Sequence, residues 1–346
     1  MGLRCLSIDP GSDTPAGQIA ASQVGSLRNL DDLTSIFQSC DFVTLENEFV
    51  PADIVEAAMA NADFNPDHLT PGTHCLRTIQ DKLLQRQAYQ IHGAPTPKAV
   101  PIHEAESLGL PVVLKARFGG YDGKGTRYAR TSEELAAIQT EVNPDEWLAE
   151  EFVPFKRELA VMVYRSKVQT GTFPTVETRQ TNHVCDLVLP TSVSAKETAI
   201  HAVEAVGGFG LFGVELFEHQ DGSFSINEIA PRPHNTGHYT LDWGGVSQFE
   251  QHVRLAMHLP TVEPTGRPTV MANLLGQPGQ VNIQAGLRAL LDLNANARFH
   301  WYGKSEIKPG RKMGHLNIPA EGAETVDYLV EQAIHARQTF YQASCP

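Results

Sequence analysis

Residues 213–231 read GVELFEHQDGSFSINEIAP, two stretches of strand-forming residues on either side of Asp221-Gly222. Little other than an antiparallel hairpin suits such a pattern, because Asp-Gly favours a two-residue type I′ turn with both central residues at positive φ. A turn there makes Gln220 face Ser223, Leu216 face Asn227, and Glu215 face Glu228. Opposed side chains hold their Cβ atoms about 4.5–5.5 Å apart, where like charges repel. Two readings follow. Either the register slips and one glutamate turns to solvent, or a cation sits between them. Mg²⁺ suits the second, since it takes a few carboxylates and completes its shell with phosphate oxygens and water.

A phosphate cradle is the natural companion of such a metal, and 115–126 reads KARFGGYDGKGT, directly after the apolar PVVL of 111–114. Glycines let backbone N–H groups approach an anion, and the interleaved basic side chains favour one. Neither the Walker A spacing nor Gly-x-Gly-x-x-Gly is present, so the alternative is an ordinary hairpin. Taken with the facing glutamates, the loop points to a nucleotide with Mg²⁺. The next segment, APRPHNTGHYT (230–240), carries His234 and His238 at a metal-pair spacing, but Pro231, Pro233 and Gly237 preclude the regular helix such a pair needs. It reads better as a rigid loop offering Arg232, His234, Asn235 and His238 to a polar ligand. In YGKSEIKPGRKMGH (302–315), Lys304, Lys308, Arg311 and Lys312 form either a solvated surface loop or an anion site, with Pro309-Gly310 directing the arginine.

The chain has 346 residues, enough for two or three domains, and is 41% hydrophobic and 19% charged, a globular composition. Its formal net charge of −13 argues against a general nucleic-acid or anionic-membrane surface. No apolar run reaches the length of a membrane span, and no signal-peptide pattern opens the chain. Five scattered cysteines without Cys-x-x-Cys read as reduced thiols of a cytoplasmic protein. His-Glu-x-x-His is absent, which argues against a zinc enzyme.

Along the chain, LRCLSIDPGSD reads as a strand entering a Pro-Gly turn, and 40–51 as a second strand ending at Glu46 and Glu48. Helical spacing covers DIVEAAMA and then 74–93, where Leu76, Ile79, Leu83 and Ile91 recur and Gly93 can cap. This alternation predicts a small parallel-sheet α/β domain. Pro95, Pro97, Pro101 and Pro111 mark 94–111 as a hinge or linker. Thr131 and Glu134 form a capping box, EWLAEEFVP and RELAVMVYRS read as strands, SQFEQHVRLAMHL as a helix, 260–270 as a linker, and the remainder as a smaller α/β appendage.

The ordered set DKLLQRQ, VLKARFGGYDGKG, AEEFVPFKRELAV, PTVETRQ, GVELF…INEIAPRPHNTGH and WYGK…PGRKMGHLN resembles the ATP-grasp superfamily and, within it, the N5-carboxyaminoimidazole ribonucleotide synthetase family, the ATPase subunit of bacterial-type purine carboxylation. The resemblance implies an α/β (α+β) ATP-grasp fold: an N-terminal parallel-sheet domain at 1–78, an ATP-grasp domain at 79–260 with its lid over about 94–155, and a C-terminal domain at 268–346. It also implies ATP-dependent carboxylation of 5-aminoimidazole ribonucleotide by bicarbonate. The γ-phosphoryl group passes to bicarbonate, and the carboxyphosphate formed delivers CO₂ to the exocyclic amine. Positioning and charge neutralisation then carry the catalysis, and no enzyme nucleophile is needed.

Residue by residue, Lys82 and Lys115 match contacts to ATP phosphates, and Gly120, Tyr121, Asp122, Gly123, Lys124, Gly125 and Thr126 match the loop over them. Glu150, Glu151, Phe152 and Val153 match the strand that reads adenine through its backbone. Glu158 matches the acceptor of the ribose hydroxyls, and Gln180 a position beside the nucleotide. Glu215 and Glu228 match the Mg²⁺ ligands, with Asn227 alongside, and Asn235, His238, Lys304 and Arg311 match the substrate and bicarbonate side. A homodimer and a separate mutase partner are implied too. Family members begin with a strand and a Gly-x-Gly-Gln-Leu-Gly turn for the ribonucleotide phosphate. Met1 here is followed by what resembles the second strand, so either the start is truncated or mis-called or part of the substrate site is lost, and the expectation is retained ATP binding with weakened ribonucleotide binding. Two other readings stand beside this one: another purine-pathway ATP-grasp ligase, such as a formate-dependent transformylase, and a nucleotide-binding module without turnover.

Overall fold

The computed structural model describes residues 1–120, 125–279 and 281–345. At the N-terminus β1 (Leu6–Asp9) pairs in parallel with β2 (Ala21–Val24). After α1 (Leu30–Ser39), β3 (Val43–Thr44) pairs in parallel with β4 (Leu69–Thr70), with α2 (Ala52–Asn61) between them. The parallel sheet expected here is two separate two-stranded ladders. The strand expected over 40–51 contracts to Val43–Thr44, leaving Glu46 and Glu48 in the turn beyond it. β2 and α1 lie outside the sequence reading, although α1 carries an Asn29 cap and buries Leu33, Ile36 and Phe37 at helical spacing.

The helix read across 74–93 is broken at Asp81 into α3 (Thr73–Gln80) and α4 (Lys82–Ile91). Asp81 has extended backbone, and its Oδ1 accepts the Leu83 N–H at 2.9 Å as the cap of α4. The same carboxylate receives Arg117 through Nε at 3.0 Å and a terminal nitrogen at 2.5 Å. A side chain that caps the next turn and holds a distant arginine outweighs continuation of the helix.

The proline-bearing segment 94–111 is no free linker. It supplies β5 (Ala99–Pro101), which joins β6 (Val112–Ala116), β7 (Thr126–Ala129) and β8 (Trp147–Glu151) in a four-stranded antiparallel sheet of order β5-β8-β6-β7. Leu135 of α5 (Ser132–Glu141) is buried with Val112, Leu114 and Ala129 of that sheet. Thr131 caps α5, accepting the Glu134 N–H at 3.2 Å.

The large sheet takes β9 (Arg157–Arg165), β10 (Thr170–Thr172), β11 (Val176–Thr181), β12 (Val184–Pro190), β13 (Gly210–Glu218) and β14 (Phe224–Ala230), with α6 (Lys196–Val206) between β12 and β13. After α7 (Gln248–Ala256) it continues through β15 (Thr269–Leu275), β16 (Arg298–Trp301) and β17 (Lys312–Pro319), with α8 (Ile283–Leu293) and α9 (Val326–Ser344) alongside. Its order is β14-β13-β9-β11-β12-β15-β17-β16, with β10 paired to β9. The C-terminal part is therefore no appendage, since its strands extend the central sheet through β12 and β15. β9 is apolar on both faces: Leu159, Val161 and Val163 pack with Ala199, Val203 and Val206 of α6, while Ala160, Met162 and Tyr164 pack with Tyr239, Trp243 and Leu255. On the second face this leaves polar positions only toward one end, where Glu158 and Glu215 lie.

The expected hairpin forms between β13 and β14 with a longer turn than type I′. His219 and Ser223 close it by an N–H to carbonyl bond of 2.9 Å, so Gln220, Asp221 and Gly222 make a three-residue loop. Gly222 supplies the positive φ, +83°, that such a loop ends on. Leu216 faces Ile226 instead of Asn227, and the register shifts at the next position, so that Glu215 does face Glu228.

Candidate active site

Three carboxylates share one face of the large sheet. Glu215 is paired with Glu228 and with Ala160, while Glu158, two residues before Ala160, is paired with Phe217 and Thr178. The side chains of Glu215 and Glu228 are 25% and 42% exposed. Lys82, at the start of α4, places Nζ 3.6 Å from Glu228 Oε1, and His234 Nε2 lies 3.8 Å from Glu215 Oε1. Burial raises the Glu158 carboxyl above its usual value, against a hydrogen bond from Gln180 and the charges of His183 and Lys115. Gln180 reaches that position where β11 shifts register against β12.

The four-stranded sheet closes over this face. Lys115 of β6 extends Nζ to 2.8 Å from Glu150 Oε2 and donates to Asn227 Oδ1 at 3.3 Å. Glu150 is buried, and its other oxygen accepts Arg86 Nε at 2.7 Å. Burial opposes ionisation of Glu150, yet Arg86 and Lys115 outweigh it and bring the carboxyl down to about 2. A residue expected to act through its backbone thus has a side chain that joins the two sheets. Glu151 Oε1 accepts the Lys98 N–H at 3.0 Å, while Phe152 is exposed and Val153 half-buried in the crossing segment. Of the glycine loop, Gly120, Gly125 and Thr126 are described, with Thr126 paired to Lys115; Tyr121, Asp122, Gly123 and Lys124 lie outside the described residues.

Beyond Glu228 the loop after β14 turns across the sheet. Arg232 forms a two-pronged pair with Glu48, at 2.5 and 3.1 Å, and is held charged by it, so it ties the N-terminal part to this loop. His234 rests on Gly213, where an added Cβ would lie 2.4 Å from the His234 Cβ. Gln248 of α7 is fully buried and its Oε1 accepts the His234 backbone N–H at 2.9 Å, which fixes the orientation of the amide. Its Nε2 then donates to the His234 carbonyl and, at 2.8 Å, to His238 Nδ1. Neutral His238 accordingly carries its proton on Nε2. Desolvation, then Lys312, His300, Arg232 and Lys304, bring His238 down to about 3. Asn235 and Asn273 exchange amide hydrogen bonds at 3.0 and 2.7 Å.

The C-terminal cations divide. Lys304 donates to the Lys312 carbonyl at 2.7 Å and lies 5.4 Å from the Tyr302 ring, which in turn meets His238 edge-on at 6.1 Å. Lys312 is close enough to lower both His234 and His238. Arg311 is exposed and donates to the Glu306 carbonyl at 3.0 Å, so the structure does not join it to the other site residues. Arg86 and Gln248 escape the sequence reading. Each left one signal, a polar residue on the buried stripe of a helix: Arg86 lies between Leu83 and Tyr89, and Gln248 shares its stripe with Gln251 and His252.

This arrangement can hold a cation and phosphate oxygens at Glu215, Glu228, Lys82 and Lys115, and a second anionic or polar group at the His238–Lys304 end. Comparison with known proteins gives the chain's relatives. Residues 1–80 match the ribonucleotide synthetase preATP-grasp domain, 87–249 the ATP-grasp domain, and 269–328 the phosphoribosylaminoimidazole carboxylase C-terminal domain. The chain is 39% identical over 347 residues to the N5-carboxyaminoimidazole ribonucleotide synthase of Synechococcus elongatus, covering 94% of this chain and 86% of that protein. Its counterpart from Mycobacterium tuberculosis is 34% identical over 361 residues, covering 97% and 82%. The crystal structure of the Aspergillus clavatus N5-carboxyaminoimidazole synthase with ADP and 5-aminoimidazole ribonucleotide matches with a TM-score of 0.83 and 30% identity, covering 97% of this chain and 92% of that one.

Proposed function

The chain belongs to the N5-carboxyaminoimidazole ribonucleotide synthase family, and from that membership we propose that it is an ATP-dependent ligase that carboxylates 5-aminoimidazole ribonucleotide in purine biosynthesis. The γ-phosphoryl group of ATP passes to a bicarbonate oxygen and ADP leaves. The carboxyl carbon then bonds to the exocyclic amine, and phosphate departs.

The observation that carries the assignment of roles is that Lys115 reaches Asn227 across the gap between the two sheets while Lys82 lies beside the adjacent Glu228, with Glu215 facing Glu228. In this reading Lys82 and Lys115 hold the phosphates under the loop 120–126, the segment 150–153 reads adenine, and Glu158 with Gln180 takes the ribose. Facing carboxylates on an accessible sheet end are the hard oxygen donors that Mg²⁺ prefers. Among the described residues no group of three or more His, Cys, Asp or Glu gathers as in a wholly protein-ligated site, so phosphate oxygens and water would complete the shell. When bound, Mg²⁺ neutralises charge on the transferring phosphoryl group. Asn235, His238, Lys304 and Arg311 are assigned to the ribonucleotide and bicarbonate.

The reading extends to residues 1–78 as the ribonucleotide domain, 79–260 as the ATP-grasp domain with its lid over about 94–155, and 268–346 as the C-terminal domain. It also includes a cytoplasmic homodimer that passes its product to a separate mutase. Five free cysteines are consistent with a reducing compartment, and among the described residues no helix is long and apolar enough to cross a membrane. The deciding measurement is ADP release with aminoimidazole ribonucleotide and bicarbonate each present or withheld. Release should require MgATP and respond to both. Release indifferent to the ribonucleotide would overturn the assignment.

A further inference from the structure

We infer that Arg86 is a positioning residue for the facing carboxylates, acting by clamping the β-bulge at Asn227; the inference rests on the Mg²⁺ reading of that pair. From the turn outward, Glu218 faces Phe224, Phe217 faces Ser225 and Leu216 faces Ile226. One position further, Glu215 faces Glu228, so β14 has spent an extra residue, Asn227, against β13. Were the register to continue without the bulge, Glu215 would face Asn227. Glu228 would then turn to the opposite face of the sheet, where Val214, Leu216 and Ile226 pack against α6. The bulge therefore decides whether the second carboxylate enters the cleft at all.

A bulge disrupts its ladder, and the freed backbone groups must find other partners. Here Arg86 supplies donors to two carbonyls of this edge strand, and Thr96 Oγ1 also reaches the Ile226 carbonyl at 3.4 Å. One terminal nitrogen donates to the Ile226 carbonyl at 3.3 Å and the other to the Asn227 carbonyl at 2.6 Å. The Ile226 N–H goes to the Pro95 carbonyl at 2.8 Å. The remaining prong of Arg86 holds Glu150, Glu150 holds Lys115, and Lys115 returns to the Asn227 side chain, closing a ring around the bulge. Arg86 and Glu150 are each about 2% exposed, so neither charge could be kept there without the other. Lys82 lies one helical turn before Arg86 on α4, so one helix carries both the clamp and the cation beside Glu228. The guanidinium serves two carbonyls and a carboxylate from three separate nitrogens in one plane; a lysine ammonium retains the charge but carries its three donors on a single nitrogen.

The test is Mn²⁺ titration, read by electron paramagnetic resonance on the full chain saturated with a non-hydrolysable ATP analogue. Four proteins are compared: wild type, Arg86→Lys, the double variant Arg86→Met/Glu150→Met, and Glu228→Gln. Arg86→Lys should weaken Mn²⁺ binding about tenfold, the scale seen when a residue that orients a metal ligand is lost. The double variant removes both buried charges together, keeps the core apolar, and should weaken binding at least as much. Wild-type Mn²⁺ affinity in both Arg86 variants, with loss in Glu228→Gln, overturns the role of Arg86 and leaves the metal pair standing. Wild-type affinity in Glu228→Gln overturns the metal pair and the inference with it.

Discussion

Glu215 and Glu228 are direct cross-strand partners, although Leu216, the residue next to Glu215, is paired with Ile226. Two carboxylates are thus held opposite each other by a bulge, with Lys82 Nζ 3.6 Å from Glu228 and His234 Nε2 3.8 Å from Glu215. Replacing either by glutamine should leave the stability of the ligand-free protein unchanged or raise it by up to about 1 kcal/mol, the size of a cross-strand charge term. Mg²⁺-dependent ATP turnover should fall by about 100-fold or more. Urea denaturation and ADP release measure the two effects, and near-normal turnover in Glu228→Gln would remove the metal role.

Glu150 gives an acid signature. Its carboxyl is lowered from 4.5 to about 2, so its contribution to stability is complete above pH 4.5 and is lost as the pH falls through about 2. Glu150→Gln leaves Arg86 buried without its counter-charge and should cost about 3–5 kcal/mol at pH 7. The difference between wild type and variant should shrink progressively below pH 4.5. A difference that stays constant from pH 7 to pH 3 would show that Glu150 is not ionised in the folded protein.

The buried histidines work in the opposite pH range from a salt-bridged one. Burial lowers His252 from 6.5 to about 4, and burial with His238 and His300 lowers His315 to about 2. The unfolded chain binds protons at these positions that the folded chain refuses, so stability should fall as the pH drops from about 6.5 toward 4. His252 suits the test because burial is the one cause of its shift and its Nδ1 has no partner. His252→Leu should reduce the slope of stability against pH near pH 5 by about 1.4 kcal/mol per pH unit. The substitution also removes the 2.8 Å hydrogen bond between His252 Nε2 and Thr44 Oγ1, while Thr44 keeps its bond to the Thr70 carbonyl; this loss is independent of pH and leaves the slope as the readout. An unaltered slope in the variant would mean that His252 is protonated in the fold.

In the proposed assignment Lys304 belongs to the substrate side and not to the nucleotide side. It contacts the Tyr302 ring and the Lys312 carbonyl. Lys304→Gln removes one charge-assisted bond, about 1.5–3 kcal/mol, and should weaken apparent ribonucleotide or bicarbonate use by about 10–100-fold. The KM for ATP should remain within about twofold, since the phosphates are assigned to other residues. Steady-state kinetics with each substrate varied would show it, and a rise confined to the ATP KM would reassign Lys304.

Features that depend on short-range pattern were legible in the residues alone. Asp221-Gly222 between two strand-forming runs dictated the hairpin, and the Thr131–Glu134 spacing dictated the cap of α5. The facing of Glu215 and Glu228 was legible too. That last result came from two departures that cancel: the turn is one residue longer than type I′, and the bulge at Asn227 restores the shift. Local pattern does not choose between turn length and bulge. The choice between them is made by Arg86, 140 residues away along the chain from Ile226. Tertiary structure alone decided the break at Asp81, which answers to Arg117, and the burial of Glu150, which answers to Arg86 and Lys115. It also decided the proton position on His238, set by Gln248, and the joining of the C-terminal strands to the central sheet. Propensity and periodicity report how a residue relates to its near neighbours. Whether a charge can be buried, or which edge of a sheet a strand extends, depends on partners that only folding brings within reach.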